Sequence, residues 1–231
     1  LAQVDAHRGR IEEARREATE ALAEATAEGA EWEVWTLSAV LGFTALSVGD
    51  HGAAVTHLGR SVAVGEKMGD AEPRRQIGDY AEALVAVGRL EEARRMAEMY
   101  VARSEAAGNA MLLPNALRAR AIVAAAEQRL EDAVTAVDLA LVEHGRVDAP
   151  FDRGRTLLAA GQIRRRIGER RAAREALGEA RDTFRRLGAP IWEQRAEDEL
   201  RRLPIKRGAG EALTEGEARV AALAAHGHSN R

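Results

Sequence analysis

The sequence predicts an all-α fold, a superhelical array of about five helical hairpins closed by a further helix. Three observations predict it. Ala, Leu, Glu and Arg dominate, and only 5 prolines occur in 231 residues, a composition that favours helix nearly throughout. A short cassette recurs along the chain with a period of about 40 residues, the scale of helical-hairpin repeats. No stretch alternates apolar and polar residues with period two over a useful length, so no strand signal competes.

The cassette is clearest at Gly9-Arg10-Ile11-Glu12-Glu13-Ala14 and Gly88-Arg89-Leu90-Glu91-Glu92-Ala93, with Gln128-Arg129-Leu130-Glu131-Asp132-Ala133 on the same plan. Gly49 to Ala54 and Gly168 to Ala173 are looser copies. Taking Gly9, Gly49, Gly88, Gln128 and Gly168 as anchors, an alanine follows each five residues on: Ala14, Ala54, Ala93, Ala133 and Ala173. A small residue precedes each by seven: Ala2, Gly42, Ala81, Ala121 and Gly161. The unit closes at Gly29, Gly69, Gly108, Asp148 and Gly188. Physically, a first helix runs into the anchor, where glycine permits a left-handed C-terminal cap. A second helix opens with acidic residues that suit the positive end of its dipole. The small residue and the alanine let the two helices approach closely. Apolar residues fall at helical spacing on both, as at Ile77, Tyr80, Ala81, Leu84 and Val87, then Leu90, Ala93, Ala97 and Val101. One hairpin cannot bury its apolar face alone, so the units stack and leave an extended concave face.

A last helix, Pro190 to Leu203, caps the array, with Pro190 in its first turn and Pro204 ending it. Residues 1–203 therefore form one repeat domain. Residues 204–212, Gly-rich and charged, read as a linker. Residues 213–231 open a second body: Thr214 and Glu217 make a capping box, Ala218, Val220, Ala221, Leu223 and Ala224 form an apolar stripe, and Gly227 ends the helix.

The small–Gly–Ala register resembles the tetratricopeptide repeat, whose helix A, turn and helix B carry those residues at those relative positions; the unit here is longer than the usual ~34 residues, and armadillo or HEAT repeats are the alternative. The terminal stretch resembles the start of a LuxR-type helix-turn-helix on Leu213, Thr214, Glu217, Val220, Leu223, Gly227, Ser229, Asn230 and Arg231. Together with Leu187-Gly188-Ala189-Pro190-Ile191-Trp192 and the basic linker, the chain is similar to the C-terminal part of the large ATP-binding LuxR-type regulators. That resemblance implies a sensor module of a DNA-binding transcription regulator. An effector small molecule, protein or peptide would bind the repeat surface, and self-association is possible for such a module. ATP is expected of the full-length family, but this chain carries no cofactor motif: the phosphate-cradling loop G-x-x-x-x-G-K-[ST] is absent. DNA is expected to bind only through the complete C-terminal domain, because base readout needs the recognition helix. The sequence starts at Leu1 and stops inside the motif, so it reads as a piece of a longer protein. The alternative is a tetratricopeptide-type scaffold with no DNA-binding role.

Composition narrows the chemistry. There is no cysteine, which removes disulfides, thiolate metal sites and cysteine nucleophiles and fits a cytoplasmic protein. A net charge of −3 gives no global pull towards nucleic acid, and 3% aromatics are too few for a base-stacking platform. No apolar run spans a bilayer. His226 and His228 read as solvated turn residues rather than a metal pair, and His51 and His57 have no H-E-x-x-H context. Paired acids at helix starts need only the helix dipole to explain them. The chain is thus read as non-enzymatic, with no catalytic, cofactor or metal residues. One surface calls for more: in the repeat register the concave face carries Phe43, Arg75, Glu82, Asn115, Arg118, Arg155, Gln162, Arg165 and Arg166. Arginine forks onto carboxylate or phosphate oxygens, so Arg75, Asn115, Arg118, Arg155, Gln162, Arg165 and Arg166 are the candidate effector-binding residues. A solvated arginine face is the plainer reading.

Overall fold

A computed structural model describes residues 11–69, 74–204 and 219. The described residues are all-α, with no strand among them. Ten helices follow in order: α1 (Ile11–Glu28), α2 (Glu31–Val48), α3 (His51–Lys67), α4 (Arg75–Ala86), α5 (Leu90–Ala106), α6 (Leu113–Ala126), α7 (Leu130–His144), α8 (Pro150–Arg166), α9 (Arg170–Arg186) and α10 (Pro190–Arg201). The linker after Pro204 and every residue of the helix-turn-helix signature, Leu213, Thr214, Glu217, Val220, Leu223, Gly227, Ser229, Asn230 and Arg231, lie outside the described residues, as does the first anchor, Gly9. No described helix is long and apolar enough to cross a membrane.

The anchors fall on the hairpin turns. Gly49, Gly88 and Gly168 have φ of 86°, 80° and 85°, and Gln128 has φ 63°, the one positive φ among described non-glycine residues. At each of these four turns the same six-residue backbone bond closes the helix end: Asp50 N to Ala45 O at 3.0 Å, and Arg89 N to Leu84 O, Arg129 N to Ala124 O and Glu169 N to Arg164 O each at 2.9 Å. This is the Schellman closure, which satisfies carbonyls the helix end would leave orphaned. The next helix then starts, with Asp50 capping α3 by accepting from Ala53 N at 3.0 Å and paired acids opening α5 and α7. Gly29, Gly69, Gly108 and Gly188 are likewise left-handed. Asp148 is not, which departs from the register expected for it. The chain leaves α7 earlier, at His144, where Gly145 turns it with N–H to Val142 O at 3.0 Å.

Each helix packs on its neighbours in sequence, and alternate helices also pack on one another: α2 on α4, α4 on α6, α6 on α8 and α8 on α10. These even-numbered helices form an inner layer and the odd-numbered ones lie outside it. The layer curls until α10 meets α2. Within a hairpin the small residues do what their spacing predicts. Ala54, Ala93, Ala133 and Ala173 are 0% exposed, so a larger side chain has nowhere to go. Across each hairpin the sizes compensate. A Cβ on Gly42 would lie 2.4 Å from Leu58 Cγ, and one on Gly161 would lie 2.4 Å from Leu177 Cγ. Where the inner residue is alanine, the residue four positions past the outer alanine is smaller: Ala97 shares a core cluster with Ala81, and Val137 shares one with Ala121. Gly161→Ala is therefore expected to lower stability by about 1–3 kcal/mol through overpacking. Leu177→Val in the same chain, which copies the Ala121–Val137 pairing, should recover part of that loss. Urea-unfolding midpoints of the two single variants and the double variant measure this, and additive losses would contradict it.

Candidate functional site on the inner face

All three phenylalanines of the chain meet one of its three tryptophans. Phe43 of α2 stacks on Trp192 of α10 at 6.1 Å between centroids, with an interplanar angle of 14°. Phe151 of α8 meets Trp192 edge-on at 5.7 Å, and Phe184 of α9 lies 5.9 Å from it. Arg195 of α10 donates Nη2–H to Leu46 O of α2 at 2.6 Å. The earliest and latest inner helices among the described residues, α2 and α10, are thus joined by an aromatic stack and a guanidinium–carbonyl bond, between residues far apart in sequence.

Next to this closure lies a buried ionic cluster. Arg155 of α8 donates to Asp79 Oδ1 and to Glu82 Oε2 of α4, each at 2.7 Å. Its guanidinium carbon also lies 4.8 Å from the Trp192 ring centroid and 5.6 Å from that of Phe43, within cation–π range. Burial opposes its charge, but Asp79, Glu82 and Asp152 outweigh burial and hold it above the ordinary arginine range. Glu82 mirrors this. Burial would raise its pKa, and Arg155, Arg118 and Arg195 together bring it below the usual carboxylate value. Arg118 of α6 donates Nη1–H to Asn115 Oδ1 at 2.8 Å and lies 3.9 Å from Asp79. Burial, then the like charge of Arg155, pull it down to about 10, so it stays charged at neutral pH. Arg75 of α4 pairs with buried Asp152 of α8. These contacts tie α4, α6 and α8 together across the inner layer.

His144 of α7 sits at the edge of the cluster, with Nε2 2.9 Å from Thr156 Oγ1 of α8. Burial first, then Arg118, with Arg153 adding to it against an opposing pull from Asp152, lower its pKa from 6.5 to about 4. A histidine depressed in the fold binds its proton more readily when unfolded. Its contribution is complete above about pH 6.5 and is lost as pH falls towards 4, by up to about 3 kcal/mol. His144→Gln is expected to remove this component. The difference between wild-type and variant unfolding midpoints should shrink between pH 7.5 and pH 4.5, and a pH-independent difference would contradict the assignment.

Above the cluster opens a cavity of about 440 Å³, within the ordinary range of small-molecule sites. Its wall comes from α4 (Glu82, Val85, Ala86), α6 (Arg118, Ile122), α8 (Arg155, Leu158, Ala159, Gln162, Arg166) and α10 (Trp192, Arg195, Asp198, Glu199), with Arg202 at the C-cap of α10 and His51 at the start of α3. Five guanidinium groups thus face three carboxylates. The carboxylates are engaged: Glu82 by Arg155, Glu199 by Arg202 at 2.5 Å and Arg165 at 3.3 Å, and Asp198 by Arg201 and Gln194. Two arginines are left with carbonyl partners only. Arg166 donates to Ala125 O at 3.2 Å and Arg195 to Leu46 O; among the described residues neither has a carboxylate within ion-pair distance.

The seven residues expected to bind an effector therefore divide. Arg118, Arg155, Gln162 and Arg166 line the cavity. Asn115 and Arg75 lie in the ionic cluster and Arg165 pairs with Glu199. Arg118 and Arg155 are 2% exposed and already paired, so they shape the wall more than they offer free donors. The sequence marks Trp192 only as the end of the Leu187–Trp192 segment, and it marks none of Asp79, Arg195 and Glu199. The one available signal was helical spacing: Trp192, Arg195 and Glu199 recur at three and four residues, on one face of α10. No protein-family model and no curated protein matches this chain.

Proposed function

We propose that this chain is the sensor and interaction module of a LuxR-type DNA-binding transcription regulator, built as a tetratricopeptide-like solenoid of stacked hairpins. In this reading an effector binds on the inner face, and the array passes its occupancy to the DNA-binding domain that the terminal signature begins. The observation that carries the sensing half is the cavity. It is lined by four inner helices with both apolar and charged side chains, and abuts the contact that joins α2 to α10. A ligand there touches the α2–α10 contact and so can shift an equilibrium between closed and open arrays, which is what coupling requires. The regulator half is carried by the nine signature residues.

The test is DNA binding by the gene product that includes the complete helix-turn-helix, measured by fluorescence anisotropy on its own promoter fragment. A ligand that binds the repeat array should change DNA affinity. Specific DNA binding that no array-bound ligand alters would sink the sensor reading. A full-length product with no specific DNA binding would leave the scaffold reading in its place.

A further inference from the structure

We propose that the inner-face cavity is a site for a small organic anion, a molecule with one carboxylate or phosphate head and a short apolar body, held at its head by Arg166 and Arg195. This deepens the sensor reading and rests on it only for its biological consequence.

The argument is one of partners. A guanidinium has five N–H donors in a rigid fork that matches two oxygens of a carboxylate or phosphate. Among the described residues Arg166 and Arg195 each show one protein hydrogen bond, both to backbone carbonyls, and no ion pair, which leaves donors on each guanidinium open to a ligand at the cavity wall. The carboxylates nearby already hold other guanidinium groups: Glu82 that of Arg155, Asp198 that of Arg201 and Glu199 that of Arg202. Arg195 is crowded besides: it lies 4.7 Å from the Trp192 ring centroid, is partly buried, and shares the pocket with Arg155. Burial first, and the like charge of Arg155, lower its pKa against the pull of Glu82, a state an added anion relieves. The rest of the wall sets the body of the ligand: Ile122, Leu158 and Trp192 offer an apolar surface. The size favours a small molecule over an extended acidic peptide.

Because Arg195 also donates to Leu46 O of α2, the bound head sits on the residue that closes the array. Ligand binding and closure therefore share one side chain.

Isothermal titration calorimetry on the full chain tests this with phenylacetate and benzylphosphonate, which differ only in the anionic head, against neutral phenylacetamide and a tetraglutamate peptide. Saturable one-to-one binding of an anion is expected, stronger at low salt, with no measurable binding of the amide. The tighter of the two anions identifies carboxylate or phosphate as the natural head. Arg166→Ala and Arg195→Ala should each weaken binding about 10- to 100-fold, the worth of one charged hydrogen-bond pair. Arg195→Ala also touches the closure, so Arg166→Ala, at an exposed position, is the cleaner variant; its thermal midpoint should match wild type. No binding of either anion, equal binding of the amide, or anion affinity unchanged in Arg166→Ala overturns the proposal. Tetraglutamate binding tighter than both anions overturns the small-molecule class. Anion binding as expected with no effect on the DNA affinity of the full-length product refutes the sensor reading and leaves the anion site standing.

Discussion

Replacing Arg155 by methionine is expected to lower stability by about 3–5 kcal/mol, the cost of leaving buried charges without their partner. The side chain it removes is 2% exposed and serves Asp79, Glu82, Phe43 and Trp192 together. Methionine fills much of the volume, so the loss reports charge rather than a hole. In the variant, Asp79 keeps among the described residues its ion pair with Arg118, at 3.9 Å, and Glu82 loses the largest of the charges that lower its pKa. Glu82 should then titrate upward, and the stability deficit should narrow as pH falls towards the range where Glu82 takes up a proton. Adding Asp79→Asn should restore part of the loss by removing one of the stranded charges. Urea midpoints for Arg155→Met, Asp79→Asn and the double variant form the cycle. A deficit under about 1 kcal/mol, as for an exposed pair, would show that the cluster is not buried as described.

The hairpin period was readable because it reflects local demands. A left-handed turn needs a residue that tolerates positive φ, and two helices in close contact need small side chains at fixed offsets. Both leave marks at constant spacing, and Gly49, Gly88 and Gly168 sit at the turns those marks predicted. Gln128 shows that the register is stronger than any residue type: the turn forms there without glycine. Asp148 shows the limit, since an earlier Gly145 ends the helix first. The inner-face cluster was legible only as a list of side chains on one face. Whether Arg155 points to water or to Asp79 depends on how far the array curves over two units, and that curvature is a sum of small packing angles with no local sequence mark. The closure of α10 on α2 is further out of reach for the same reason, so Arg195 went unmarked although it lies at helical spacing from Trp192.

Trp192→Ala is expected to be as costly as the loss of Arg155, about 3–5 kcal/mol for a fully buried large aromatic. Trp192 is 1% exposed and contacts the rings of Phe43, Phe151 and Phe184. Trp32, 56% exposed, is the control, and its alanine variant should stay within about 0.5 kcal/mol. The two Trp variants separate a general aromatic effect from one tied to closure. Trp192 is also the face on which Arg155 and Arg195 lie, so its removal frees the second guanidinium from its position against Leu46 O. Amide hydrogen exchange should therefore accelerate in α2 and α10 ahead of α5 and α6, which the closure does not touch. Uniform acceleration across all helices would show that the stack contributes to the core without holding the array closed. Combining Trp192→Ala with Arg155→Met should cost less than the sum of the two, with a coupling of about 0.5–3 kcal/mol, because each variant already breaks the guanidinium–ring contact they share. Additivity would mean that the aromatic stack and the ionic cluster are independent, and that a ligand between them has no mechanical route from one to the other.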